Sequence, residues 1–309
     1  MTVIKLKDLL SRTLAWIWSK VGHVFGDVIY LKVRFFLIMG KSLNLKEPRT
    51  IAEKLQWLKL YNKRPEYTTQ VDKYAVKEYV SNIIGNEYVI PTLGVWDNPD
   101  DIDWDVLPRR FVLKTTHGGG SNGVVICKDK KHFDRRSAVK LLKKNMLRSD
   151  WRIGMEWPYK DVTHRVIAEE FISTSSETNS LIDYKWYCFD GEPQYCQVIQ
   201  GRNNQETIDF FDKEWKHQEF TGLHPYAKNA VIMPARPTKL QQQIELAKAL
   251  AENKPFSRID LYEVDGKILF GEITFFPLSG MGSFSPDYYN FKLGQMLKLP
   301  PKCDSRRNE

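Results

Sequence analysis

The sequence predicts an α+β fold in which short strands occupy the middle and the end of the chain. Three observations predict it: helical periodicity before residue 85, β-rich runs beyond Pro108, and a final hairpin around Asp265-Gly266. A chain of 309 residues with 42% hydrophobic residues can bury a large core, so disorder is not expected. We expect one large domain or two lobes, built from mixed sheets with helices on one face.

The composition limits the expected cellular compartment and the expected classes of binding partner. Four cysteines show no CxxC spacing and no cleavable signal is recognisable, so we expect a reducing cytoplasm without disulfides or zinc. A formal charge of +8 favours an acidic partner: nucleotide phosphate, an anionic glycan or the inner-membrane surface. Charge alone does not choose among them. Nucleic acid is disfavoured, because the basic residues are spread along the chain without an aromatic-basic RNA-binding signature.

Residues 1–46 are predicted to be amphipathic and helical, with aromatic and aliphatic residues interleaved with lysine and arginine. Charges at Asp27, Lys32 and Arg34 interrupt every stretch long enough to span a bilayer, so no transmembrane helix is expected. Two interpretations stay open. The segment packs on the main domain as a helical lobe, or it makes peripheral contact with the inner membrane as an interfacial helix.

Apolar residues that recur at helical spacing predict helices over 53–62, 72–84, 135–147 and 238–252. Strands are predicted where short runs rich in β-branched and aromatic residues end in turn residues. The predicted strands are 111–116, 124–127, 166–172, 184–189, 194–199, 259–263 and 268–275.

A glycine-rich loop, TTHGGGSNG at 115–123, separates the first two predicted strands. Its bare N–H groups can lie against phosphate oxygens, and Lys114 before it adds a positive charge. A strand follows the loop, so neither the Walker pattern nor the dinucleotide fingerprint applies. The loop is predicted to be a flexible hairpin lid over ATP, with a plain glycine turn as the alternative. His117 is a candidate general base, although a lone loop histidine is more often a surface residue or hydrogen-bond donor.

The terminal hairpin carries carboxylates on both strands. A two-residue loop at Asp265-Gly266 would place Asp260 opposite Gly271 and put Asp260 and Glu272 on different faces. We therefore predict a three-residue loop with Gly266 in the left-handed bulge position. Arg258, Asp260, Glu272 and Thr274 then share one face, and Ile259, Leu261, Leu269 and Ile273 share the other.

The predicted polar face has the chemistry of a phosphoryl-transfer site. Two carboxylates and the Thr274 hydroxyl are hard oxygen ligands for Mg²⁺, which usually also binds substrate phosphates and water. Arg258 beside them can clamp a phosphoryl group in transfer. The alternative is that Asp260 and Glu272 are solvated strand residues, as half-exposed hairpins often carry.

Several of these runs resemble a known family. Residues 258–277 resemble the end of the D-alanine ligase and wider ATP-grasp catalytic core, with its Arg-x-Asp, turn, Glu-x-Asn and proline. A closer resemblance is to the TupA-like ATP-grasp family, whose members sit in gene clusters for cell-wall, capsular and exopolysaccharides. The runs that carry it are EKLQWLKLY at 53–61, DKYAV at 72–76, LP at 107–108, FVLK at 111–114, AEEF at 168–171 and DYK at 183–185.

The resemblance implies an ATP-grasp fold, with two α+β lobes clasping ATP and an extra helical segment at residues 1–46. It implies an ATP-grasp domain over 47–300, followed by a tail at 301–309. Within that domain, a lid-bearing subdomain would cover about 108–172 and a C-terminal catalytic lobe about 173–300.

The resemblance also implies roles for individual residues. Thr274 stands where the wider superfamily has Asn, so a weaker oxygen ligand replaces an amide and a two-ion site is in doubt. Lys73 would contact the nucleotide, or be a helix-start surface residue, and Arg202 would contact phosphate or an acidic substrate. The nucleotide would also contact Lys114, the lid residues Gly118, Gly119, Gly120 and Ser121, and the hinge residues Glu170, Phe171 and Ile172. The Mg²⁺ ion would be held by Asp260, Glu272 and Thr274. The catalytic residues would be Arg258, Lys185 and Arg202.

The implied reaction is ATP- and Mg²⁺-dependent joining of a carboxylate to an amine through an acyl phosphate. The carboxylate would belong to a uronic acid of a glycan or to an amino acid, in bacterial capsular or exopolysaccharide biosynthesis. One alternative is a glycosyltransferase using a nucleotide sugar, for which Asp101-x-Asp103 or Asp103-x-Asp105 would be the metal motif. A second is a non-catalytic scaffold that kept the fold.

Overall fold

The structure is a computed structural model that describes residues 3–120, 123–172, 181–200, 206–223 and 228–302, with side chains from Leu10 onward. Two predicted site residues, Ser121 and Arg202, lie outside these ranges.

Nine helices occur in the described part of the chain. The third helix begins two residues earlier than predicted, where Thr50 and Glu53 form a capping box. The fifth helix begins later than predicted, because the Asp72 side chain accepts hydrogen bonds from the N–H groups of Tyr74 and Ala75. The helices are α1 Val3–Val21, α2 Asp27–Met39, α3 Ile51–Tyr61, α4 Glu66–Val71, α5 Ala75–Ile84, α6 Arg135–Met146, α7 Trp151–Gly154, α8 Leu240–Ala251 and α9 Tyr288–Met296.

The described strands include every predicted strand, with shifted ends except at 124–127, and four short ones that the sequence pattern did not separate from loops, at 92–96, 207–211, 221–222 and 284–285. The strand predicted to run to Ile172 ends at Glu170. The strands are β1 Thr92–Trp96, β2 Phe111–Thr115, β3 Val124–Cys127, β4 Val166–Glu170, β5 Asp183–Phe189, β6 Glu192–Gln200, β7 Thr207–Phe211, β8 Thr221–Gly222, β9 Phe256–Val264, β10 Lys267–Thr274 and β11 Phe284–Ser285.

These strands form two main sheets, in the orders β1-β4-β2-β3 and β10-β9-β5-β6-β7, and a small β11-β8 pair. Every pairing between them is antiparallel, so the prediction of mixed sheets is wrong for the described strands. The first sheet has its own core around Phe111, Leu113 and Leu142. The second sheet shares the largest core with α3, α4, α5 and α8. The molecule therefore presents two layered units, one carrying the glycine-rich loop and the other the terminal hairpin.

The N-terminal segment folds into two helices that pack on the rest of the chain through one side. Tyr30 and Leu31 of α2 are fully buried, in a cluster that includes Met155 and Met281. The Tyr30 hydroxyl donates to the carbonyl oxygen of Ile153 at 2.9 Å, which fixes α2 against α7. Among the described residues, no helix combines the length and the apolar character needed to cross a membrane.

The terminal hairpin reaches the expected register by a different route. Asp265 and Gly266 both have positive φ, at 49° and 73°, and form a two-residue turn in which Val264 pairs with Lys267. The extra residue sits further along, at Gly271, between the Leu261–Phe270 and Asp260–Glu272 pairs. The predicted three-residue loop is therefore wrong.

The bulge at Gly271 also changes which apolar residues face the core. Leu269 lies opposite Tyr262, on the face of Asp260, so its predicted place beside Leu261 is wrong. Phe270 takes that place and is buried. Beyond the bulge, Ile273 pairs with Ile259 on the core face as predicted.

We predict that Gly271→Val disrupts this register. A Cβ at position 271 would lie 3.0 Å from the carbonyl oxygen of Asp260 and 3.1 Å from the Tyr262 ring, so the strands must separate. We expect a loss of about 1–3 kcal/mol in the free energy of unfolding, measured in urea. Gly266→Asn in the same hairpin is the control, because Asn tolerates the positive φ of the turn. Equal stability of both variants would contradict the assignment of the bulge.

Candidate active site

A buried ion-pair cluster occupies the polar face of the terminal hairpin. Arg258 binds Asp260 through two bonds, Nε to Oδ1 at 2.7 Å and Nη2 to Oδ2 at 2.8 Å. The same Nη2 reaches Glu272 Oε1 at 2.9 Å and Thr274 Oγ1 at 3.1 Å. The Thr274 hydroxyl donates to Glu272 Oε1 at 2.9 Å. The bulge thus brings all four side chains of the predicted polar face into one hydrogen-bonded cluster.

Lys185 joins the cluster from the neighbouring strand, where it pairs in register with Asp260. Its ammonium contacts the Asp260 carboxylate and lies 3.0 Å from Asp183 Oδ2. All three side chains are at most 7% exposed. Asp183 had no assigned role in the sequence, although it stands in the DYK run that carries the family resemblance.

The two hairpin carboxylates differ in charge environment and in access. Burial raises the pKa of Asp260 to about 6, against the opposing charges of Arg258 and Lys185, so the carboxylate is ionised at neutral pH. Burial also acts to raise the pKa of Glu272, but the cations Arg258, Lys185 and Lys73 outweigh it and lower that pKa to about 2. The Glu272 side chain is 38% exposed, compared with 2% for Asp260. Glu272 is therefore the ionised oxygen donor that a ligand can reach.

The donor set fits a magnesium ion that takes its remaining ligands from a nucleotide. Glu272 supplies an accessible carboxylate, and Thr274 supplies a hydroxyl beside it. Both oxygens of Asp260 already accept from cations, so coordination there would displace a contact from Arg258 or Lys185. Within the described ranges, no group of three or more His, Cys, Asp or Glu side chains is arranged to hold a metal alone. Phosphate oxygens and water would therefore have to complete the coordination.

The glycine-rich loop is held in place by Lys73 and by a backbone hydrogen bond that closes it. The Lys73 N–H donates to the carbonyl oxygen of Thr116 at 3.1 Å, and the Lys73 ammonium contacts the carbonyl oxygen of Gly118. Gly123 closes the loop with a φ of 73°, and its carbonyl oxygen accepts from the Thr115 N–H at 3.1 Å. Lys73 is thus part of the loop's support, and its interpretation as a surface residue at a helix start is wrong.

Lys73 connects the loop to the hairpin cluster electrostatically. Burial lowers the pKa of its ammonium, while the nearby charges of Glu272 and Lys114 act on it in opposite directions. Among the loop glycines Gly118, Gly119 and Gly120, the last two are exposed. Lys73 therefore lies between the predicted lid, which it contacts, and the predicted metal ligand Glu272, whose charge acts on it.

Lys114 is positioned by a carboxylate that sequence reasoning did not single out. Its ammonium contacts Glu169 Oε2, and Lys77 lies 2.8 Å from Glu169 Oε1. Burial alone would raise the pKa of Glu169, but these two cations outweigh it and lower the pKa. The Lys114 side chain remains 24% exposed, compared with 12% for Lys77. Glu169 therefore holds Lys114 in one orientation while leaving it accessible.

The predicted hinge begins at the last residue of β4 and continues beyond the strand. The Glu170 N–H donates to the carbonyl oxygen of Pro91 at 3.1 Å, and the Glu170 side chain is exposed. Phe171 and Ile172 continue beyond the strand, half-buried, with the Arg110 guanidinium 5.4 Å from the Phe171 ring centre. The backbone thus leaves the sheet where adenine contact was predicted.

A cavity of about 100 Å³ lies beside the loop. His117 forms one wall, half-buried and stacked on His164 with ring centres 3.5 Å apart, so its interpretation as a surface residue is wrong. Burial and then the neighbouring His164 lower the His117 pKa to about 4. At neutral pH His117 is therefore uncharged.

The opposite wall of this cavity contains Glu156 and Tyr159. The Ser279 hydroxyl donates to Glu156 Oε1 at 2.6 Å. Burial raises the pKa of Tyr159 well above its usual value, and the nearby negative charges of Glu272 and Glu156 raise it further. The cavity therefore borders the loop, and the Tyr159 hydroxyl in its wall lies within electrostatic reach of Glu272. Sequence reasoning missed this wall, because residues 155–165 carry no helical or strand periodicity.

The acidic loop considered as a nucleotide-sugar site lies away from this region. Asp101, Asp103 and Asp105 are exposed, and the Asp105 N–H donates to Asp103 Oδ1 at 2.9 Å. Neighbouring Ile102 is buried in the core of the first sheet. This stretch has the geometry of a solvated turn that anchors a loop.

Comparison with known proteins connects this geometry to a family. The model of the family described as TupA-like ATPgrasp matches residues 53–298. The chain belongs to the TupA-like ATP-grasp family. The matched residues include both the glycine-rich loop and the terminal hairpin, whereas α1 and α2 lie outside the match. No curated protein sequence matches the chain.

Solved ATP-grasp ligases are among the similar structures. D-alanine–D-alanine ligase from Helicobacter pylori shares 16% identity, with a TM-score of 0.42, over 81% of this TupA-like chain and 69% of that chain. The enzyme from Bacillus anthracis shares 17% identity, with a TM-score of 0.39, over 72% of this chain and 58% of that one. ATP-grasp ligase PsnB, complexed with minimal precursor, Mg and ADP, shares 15% identity, with a TM-score of 0.37, over 73% and 57%. The family match itself identifies the α+β ATP-grasp fold that the sequence predicted.

We predict that Lys114→Ala weakens ATP binding by about 10- to 100-fold, because a charge-assisted contact is lost. Lys77→Ala is the matched control, since Lys77 pairs with the same Glu169 but also donates to the carbonyl oxygen of Ile90. Isothermal titration with a non-hydrolysable ATP analogue gives both dissociation constants. A larger effect at Lys77 than at Lys114 would contradict phosphate binding by Lys114.

We also predict a pH-dependent stability contribution from Lys59, beside the cavity. Its buried ammonium contacts the carbonyl oxygens of Gly154 and Ser279, both at 2.5 Å, and Gln56 Oε1 at 3.0 Å. Burial lowers its pKa from 10.5 to about 7, so between these values the unfolded chain binds the extra proton and stability rises with pH.

Urea unfolding of the native protein and Lys59→Met at pH 7 and pH 9 measures this contribution. The stability advantage of the native protein should grow with pH, by at most ~1.4 kcal/mol per unit. Lys63→Met, at an exposed position just after the same helix, is the control. An advantage that shrinks toward pH 9 would contradict the lowered pKa.

Proposed function

We propose that the protein is an ATP- and Mg²⁺-dependent ligase that joins a carboxylate to an amine through an acyl phosphate. The observation that carries the proposal is the convergence of Arg258, Asp260 and Glu272 opposite a glycine-rich loop supported by Lys73. Phosphoryl transfer depends on alignment and on neutralising charge spread over the phosphoryl oxygens. A region rich in fixed cations, with an accessible carboxylate for a metal, supplies both.

In this proposal each side chain acts through the contacts described above. Lys114 and Lys73 bind phosphate oxygens, and the N–H groups of Gly118 to Gly120 cover them. Arg258, oriented by its two bonds to Asp260, lies beside the transferred phosphoryl group. Glu272 and Thr274 would hold Mg²⁺, which when bound would supply positive charge against the phosphate oxygens.

Three further residues keep the roles that the family resemblance implies. Lys185, held between Asp183 and Asp260, is a catalytic cation in the proposal. Arg202 has the same proposed role, and Ser121 extends the lid. The backbone of Glu170 to Ile172 would read adenine. The proposed metal site contains one ion, because Thr274 supplies a neutral hydroxyl where a second carboxylate or amide would favour two.

The substrates follow from charge and from the family resemblance. The carboxylate is proposed to belong to a uronic acid of a glycan or to an amino acid, in bacterial capsular or exopolysaccharide biosynthesis. The cavity bounded by His117, Glu156 and Tyr159 is the proposed site for the joining partners, because it borders the lid and its Tyr159 senses the charge of Glu272. The net charge of +8 would draw in an anionic substrate.

The proposed location is the cytoplasm, where ATP is supplied, with residues 1–46 in peripheral contact with the inner membrane. The rival glycosyltransferase gains no support, since its Asp101-to-Asp105 motif forms an exposed turn. No second function is therefore put forward.

We predict that Glu272→Ala leaves the fold intact and abolishes turnover. The side chain is partly exposed, so its removal opens no large cavity, while the accessible metal ligand is lost. Turnover is measured as ADP release with ATP, Mg²⁺, pooled amino acids and uronic acids. Glu252→Ala, at an exposed position after α8, is the control with the same change of charge.

The same assay separates the candidate reactions. ADP that forms only when a carboxylate and an amine are both present supports ligation. Release of UDP from UDP-sugars would favour glycosyl transfer instead, and silence in both assays would favour a scaffold. A fully active Glu272→Ala enzyme would overturn the metal assignment.

A further inference from the structure

The first helix presents an apolar stripe to solvent. Leu10, Leu14, Ile17 and Val21 recur at spacings of four, three and four residues, which places them on one side of α1. Their exposed fractions are 55%, 49%, 46% and 53%. At 1.5 Å per residue the stripe is about 16 Å long. We call these four residues the outer stripe.

Exposed apolar side chains continue from the outer stripe beyond the end of α1. Val24 and Phe25, in the turn between the helices, are 83% and 56% exposed. Ile29 and Phe36 of α2 are exposed at 50% and 56%. Two helices and their connection thus expose large side chains together, whereas soluble surfaces normally show them singly.

The opposite side of α1 attaches it to the protein. Ala15, Ser19 and Gly22 are buried there, and the Trp18 ring donates from Nε1 to the carbonyl oxygen of Tyr30 at 3.0 Å. A Cβ on Gly22 would come within 2.4 Å of the Trp18 ring, so close packing requires glycine. The outer stripe is therefore exposed by a firmly seated helix.

Positive charge is concentrated in the same segment. Residues 1–46 contain eight lysines and arginines and two aspartates, a formal charge of +6 out of +8 for the whole chain. One of those aspartates, Asp27, lies 3.8 Å from Lys63. The Lys20 ammonium lies 5.8 Å from the ring centre of Trp16, which is itself 63% exposed. The segment thus combines exposed apolar side chains with cations and an interfacial aromatic.

We infer that the outer stripe, Val24, Phe25 and the surrounding lysines form a docking surface for anionic lipid bilayers. Apolar side chains would enter the boundary between headgroups and acyl chains, and Lys20 and Lys32 would contact lipid phosphates. A second copy of this chain fits less well, because two such faces would bring like charges together. The surface is separate from the proposed active site, so the inference does not depend on the ligase reaction.

Vesicle co-sedimentation of the full chain tests the surface. We expect binding to vesicles of phosphatidylcholine mixed with phosphatidylglycerol, weak binding to phosphatidylcholine alone, and release by high salt. Leu14→Ser with Ile17→Ser should lower partitioning at least ~10-fold, because two large apolar groups no longer enter the lipid. The matched control is Val231→Ser with Ile232→Ser, whose side chains are 101% and 85% exposed elsewhere.

A pair of charge variants tests the electrostatic part. Lys20→Glu with Lys32→Glu should remove the preference for phosphatidylglycerol, since each lysine contributes roughly fivefold at an anionic surface. Lys213→Glu with Lys267→Glu changes the net charge equally at exposed positions elsewhere and should bind nearly as the native chain does.

Two results would overturn the inference. The first is equal binding of the native chain and the Leu14/Ile17 variant, with unchanged melting temperatures showing that both are folded. The second is a native dimer in sedimentation velocity that the same variant converts to a monomer, which would identify the outer stripe as a contact between copies. Neither result bears on ADP release, so the ligase proposal is tested separately.

Discussion

The paired hydrogen bonds between Arg258 and Asp260 are the interaction on which the site depends. The Arg258 side chain is 11% exposed and that of Asp260 is 2% exposed, so removing either would leave a poorly solvated charge without its partner. The pair also fixes the direction of the guanidinium, whose Nη2 reaches Glu272 and Thr274 on the other strand as well as Asp260. These contacts require the one-residue bulge at Gly271, so the backbone register and the site electrostatics stabilise each other.

Much of this arrangement could be predicted from the sequence, because chemistry and alternation constrain it. Arg258, Asp260, Glu272 and Thr274 meet because Arg-x-Asp and Glu-x-Thr each keep a side-chain period of two. The position of the register shift could not be predicted, since a bulge at the turn and one at Gly271 leave the same four residues together. Ile268, Leu269 and Phe270, between the two possible bulges, distinguish them, and the predicted side of Leu269 was wrong.

The residues that sequence reasoning missed are those whose partners are distant in the chain. Glu169 stands in a buried strand, and its role becomes visible only when Lys114 and Lys77 arrive from two other elements. Glu156 and Tyr159 belong to an irregular segment, where no periodicity indicates which side chains face inward. Both cases combine buried charge with long-range contact, and local pattern carries no information about either.

The hydrogen bond from Tyr30 to the carbonyl oxygen of Ile153 has a consequence for N-terminal truncation of the protein. The family match begins at residue 53, which invites a shortened version without α1 and α2. Such a version would lose the only described side-chain donor to that carbonyl and bare the surface that Leu31 and Phe35 cover beside Met155. Because Glu156 follows directly, deletion at the terminus would loosen a wall of the pocket far along the chain.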